Sequence, residues 1–134
     1  MPQIYRDIQI GSVWEGSGNV SALDVLRAAA QEPEGLSAFL DECELALGAD
    51  PRLDEHLLEL RSALGATARK ELALGARRLV EDLGVALQAS LLVRHAPREV
   101  ADGFCASRLG GGGKAFGTLP AGLDLEAIVE RSLN

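Results

Sequence analysis

Apolar positions along this chain recur at intervals of three and four residues, the spacing of helices with one buried face. Val20, Leu23 and Leu26, flanked by Ala22 and Ala30, predict a helix over about residues 17–30. Ser17 or Asn19 suits its N-cap, and it should stop before Pro33. A second helix is expected over 33–47, with Leu36, Phe39, Leu40, Cys43 and Leu47 on one face and Gly48 just past its end. Asp50-Pro51 reads as an N-cap followed by a first-turn proline. The third helix follows, with Leu53, Leu57, Leu60 and Leu64 inward, and ends at Gly65. A fourth and longest helix runs from a Thr67 cap to His95, with a stripe of Leu72, Ala76, Leu79, Val80, Leu83, Leu87 and Leu91. Beyond Leu83 it is apolar nearly all round, which predicts a helix enclosed by neighbours. A fifth covers 97–109 with Val100, Phe104 and Cys105 inward, and a last one covers 124–133 with Leu125, Ile128, Val129 and Leu133 apolar. Residues 2–9 suit a short helix or turn, and 11–16 an extended connection.

No strand pattern and no internal repeat competes with this reading. The expected class is all-α, an antiparallel helical bundle. Composition points the same way: aromatics are only 4% of 134 residues, whereas strands favour aromatic and β-branched side chains. One domain of this length buries about two-thirds of its unfolded surface, enough for a real core. The longest uncharged run, Leu83 to Val93, is too short to span a bilayer, so no membrane association is expected. Cys43 and Cys105 lie far apart and form no Cys-x-x-Cys pair. Reduced thiols in a cytoplasmic protein are expected, with a disulfide as the alternative.

Net charge is −7, which argues against broad nucleic-acid binding. The charge is uneven. From Gln31 to Leu64 nine acids face two bases, and from Gly65 to Lys114 eight bases face five acids. Mixed charge on helices is usually a solvated face, and Glu42, Glu44, Glu81 and Asp82 are read that way.

The chemistry concentrates before the first helix. Glu15 sits between Trp14 and a Gly16-Ser17-Gly18-Asn19 turn. A lone glutamate before a turn is ordinarily a surface residue. Here it precedes a helix N-terminus, whose unpaired amides favour an anionic group such as phosphate. The turn is no dinucleotide fingerprint, because Ser21 replaces its third glycine and no buried strand precedes it. Gly110 to Lys114 is no phosphate loop either: Arg108 and Ala115 stand where that motif needs glycine and a hydroxyl. A surface loop is expected there. His56 and His95 are isolated, so no metal is expected.

The run Tyr5-Arg6-Asp7 through Trp14-Glu15-Gly16-Ser17-Gly18-Asn19 resembles the C-terminal region of flavin-dependent acyl-CoA dehydrogenases, in its adaptive-response (AidB-type) form. Their usual version is Arg-Asp, a spacer, then Tyr-Glu-Gly-Thr and a helix. Ala101-Asp102-Gly103-Phe104-Cys105-Ala106-Ser107-Arg108, with Phe116-Gly117-Thr118-Leu119-Pro120, is similar to the tail of the same branch. The resemblance implies the C-terminal domain of the acyl-CoA dehydrogenase fold over residues 1–134, without the N-terminal helical domain and β-domain that precede it in the family. It implies α,β-dehydrogenation of an acyl-CoA thioester with FAD as cofactor. Glu15 takes the role of catalytic base, and Trp14, Gly16, Ser17, Gly18 and Asn19 become cofactor-binding residues. The separated piece is expected to self-associate as a homo-oligomer and to be inactive by itself. The branch has been linked to DNA, but the acidic balance makes DNA an unexpected partner here.

Overall fold

The computed structural model describes residues 18–66, 75–110 and 122–133. Six helices occupy them: α1 (Gly18–Gln31), α2 (Pro33–Glu44), α3 (Pro51–Ala66), α4 (Ala76–His95), α5 (Arg98–Arg108) and α6 (Leu125–Leu133). No strand occurs among the described residues, as the periodicity implied. Expectations for the stretch before Gly18, for the Thr67 cap with Leu72, and for residues 111–121 lie outside the described residues.

Local chemistry explains the breaks. Pro33 cannot donate to the preceding turn, so α1 stops at Gln31 and the proline opens α2. The α2 end tightens into i to i+3 bonds, Leu45 N–H to Glu42 O and Leu47 N–H to Glu44 O. It closes at Gly48, whose φ of 83° lies in the left-handed region. That glycine's amide donates to Asp54 Oδ1 (3.0 Å), in the first turn of α3. Asp50 caps α3 as expected: the Arg52 amide donates to its Oδ1 at 2.9 Å.

α4 is the hub, packed against α1, α2, α3 and α5, which is why its sequence is apolar on several faces. The core runs through Leu40 and Cys43 of α2, Leu53, Leu57 and Leu60 of α3, Leu79, Leu83, Ala86 and Ala89 of α4, and Cys105 of α5. α6 packs on α5 alone among the closer helix pairs, with Ile128 Cδ1 against the bare backbone of Gly103.

Four expected inward positions are corrected. Leu47 falls in the turn past α2 and is 55% exposed, because the helix ends three residues earlier than expected. Leu91 is 40% exposed: the ridge that reaches the neighbours uses the smaller Ala86, Ala89 and Ser90 instead. On α1 the flanking Ala22 is the buried residue, while Val20 and Leu23 face outward at 58% and 49%. A small side chain lets α1 approach α4 closely, and its larger apolar neighbours turn away.

Charged ties join the helices. Arg61 of α3 pairs with Glu44, and Arg94 of α4 with Glu42 (2.5 Å), both on α2. Glu42 and Glu44 are therefore more than a solvated face. Arg52 links the α3 cap to α5 through Asp50 (2.6 Å) and Asp102 (2.7 Å). Among the described residues no helix is long and apolar enough to cross a membrane.

Candidate functional site

The site expected from sequence begins where the described residues begin. Trp14, Glu15, Gly16 and Ser17 lie outside them, so the base and most of its turn have no described geometry. Gly18 opens α1, and Asn19 follows as its second residue, with its side chain undescribed. Gly18 and Asn19, expected in the turn, are the first two residues of the helix, so Asn19 lies inside α1 and is not its N-cap. The α1 first turn carries no acidic residue that would compete with an anionic ligand.

One side chain from elsewhere meets this helix start. Arg77, in the first turn of α4, lays its guanidinium beside Gly18: a Cβ built on that glycine would stand 3.8 Å from Nη2 and 3.9 Å from both Cζ and Nε. Three near-equal distances mean that the guanidinium lies broadside to the glycine. Sequence reading missed Arg77, because no local pattern links it to a turn on another helix.

Other reactive groups are accounted for structurally. Cys43 and Cys105 are free and buried, and burial pushes both thiols up to about 11. At neutral pH they are protonated and poor nucleophiles. Arg52 holds the Asp50 carboxyl, at the α3 cap, below the usual carboxylate range. His56 Nε2 lies 3.0 Å from the Asp82 carbonyl oxygen, a tie between α3 and α4. Among the described residues no cluster of three or more His, Cys, Asp or Glu side chains could hold a metal ion.

A groove of about 440 Å³ runs between α1, α2 and α4, walled by Val25, Leu36, Phe39, Val80 and Leu83. Its floor is left open by Gly35 and Gly84, where nothing stands within 4 Å of a built Cβ. Val25 lies two turns along α1 from Gly18, about 10 Å away, so the groove is separate from the helix start.

Comparisons with known proteins agree with this picture. Over 106 residues, the chain is 29% identical to AidB of Escherichia coli (strain K12), which carries the name of an acyl-CoA dehydrogenase; the match covers 78% of this chain and 19% of the relative. Over 101 residues it is 33% identical to acyl-CoA dehydrogenase family member 11 of Caenorhabditis elegans, covering 75% of this chain and 16% of the relative. The aligned stretch thus spans less than a fifth of either relative's length. No family model and no solved structure matches. Two alignments across three-quarters of the sequence, together with an all-α bundle, make this chain an acyl-CoA dehydrogenase-like domain.

Proposed function

We propose that the chain is the C-terminal helical domain, over residues 1–134, of an FAD-dependent acyl-CoA dehydrogenase of the AidB type, working in the cytoplasm. The observation that carries the reading is the Trp14-Glu15-Gly16-Ser17-Gly18-Asn19 run, set directly before α1 and found in a chain aligned to two acyl-CoA dehydrogenases.

The reaction removes a proton from the carbon next to a thioester and a hydride from the next carbon, leaving a double bond between them. Glu15 takes the α-proton. A carboxylate does this well when its surroundings exclude water, because desolvation raises its basicity. FAD, when bound, supplies the hydride acceptor. Gly16 and Gly18 leave room for close backbone approach, and Trp14, Ser17 and Asn19 complete the contacts around the flavin. Substrate and most of the flavin are held by segments that other family domains supply. The 134 residues alone are inactive and hold no stoichiometric FAD, since a ligand site buries most of its ligand and this piece offers one edge. A flavin absorption band in the purified chain would contradict that.

Glu15→Gln is the test, made in the flavin-loaded protein. It preserves shape and a hydrogen-bonding group but cannot accept the proton. Flavin stays bound, and its reduction by an acyl-CoA slows by at least ~10²-fold, read by rapid-mixing absorbance. Equal bleaching rates in variant and wild type would place the base elsewhere.

A second reading concerns partners. Val20 and Leu23 project from α1 as an apolar face, which favours self-association into a homo-oligomer. A strict monomer by light scattering at high concentration would count against it.

A further inference from the structure

We draw no further inference here: the strongest candidate, the apolar groove between α1, α2 and α4 walled by Val25, Leu36, Phe39, Val80 and Leu83, carries nothing because nothing in the structure shows what covers it.

Discussion

Two sides of this bundle use the same aliphatic vocabulary to opposite ends. Where α2, α3, α4 and α5 meet, Cys43, Leu53, Ala86, Ala89 and Cys105 are wholly buried and charged ties cross between the helices. Among the described side chains of α1 only Ala22 is buried, Leu26 is half-buried, and Val20 and Leu23 face outward. The first side is satisfied by its own chain. The second packs on α4 and α2 through Ala22 and Leu26 and leaves Val20 and Leu23 outward. The expected chemistry lies at the start of α1, on the less self-contained side. Surfaces that must meet a cofactor or another domain cannot also be filled by the domain's own core.

The contrast is sharpest in stability. Leu53→Ala should destabilise the chain by about 2–5 kcal/mol, the range for a buried leucine that leaves a cavity, as measured by urea unfolding. A loss below ~1 kcal/mol would mean that the α3 side is no better packed than α1. The Glu15→Gln loss of at least ~10²-fold in flavin reduction is the matching effect on the α1 side, and it should leave the unfolding midpoint unmoved.

Asp50 gives a smaller, pH-dependent effect. Arg52 depresses its carboxyl in the folded state, so the stability it contributes is present above the unfolded carboxylate value and lost as pH falls below about 4. Asp50→Asn keeps an N-cap but removes the charge, and should cost on the order of 1–2 kcal/mol at pH 7. Unfolding series from pH 7 to 3 should show the gap between wild type and variant closing in acid. A gap that persists unchanged at pH 3 would assign the effect to geometry instead of charge.

The smallest effect on stability is expected at α1. Leu23→Lys should change it by less than ~0.5 kcal/mol, because the side chain is already half exposed. The same substitution should abolish self-association in light scattering. Loss of stability without loss of association would reverse the roles given to the two sides.

Much of this was legible in the residues. Pro33, Gly48, Asp50-Pro51 and Pro97 punctuate the chain through backbone chemistry that acts within a few residues, so most helix limits followed from sequence to within a few positions; the exception is α4, expected from Thr67 but starting at Ala76 after a turn at Gly75. The class followed from the three-and-four spacing, and the family from the Trp14 to Asn19 run. The faces were less secure. Leu47, Leu91, Val20 and Leu23 all fit an apolar stripe, yet each is largely exposed.

The sequence by itself determined where most helices form and that they are amphipathic, because those properties depend on local propensity and on neighbours one turn away. Only the tertiary structure decided which part of each apolar stripe is covered, that acids of α2 pair with arginines of α3 and α4, and that Arg77 of α4 lies on the side of Gly18 of α1. Periodicity sets the angle of a stripe around its own helix but carries no information about the direction from which a neighbour arrives. That direction is set by close packing, in which a small residue such as Ala22 can be the better contact than a leucine beside it.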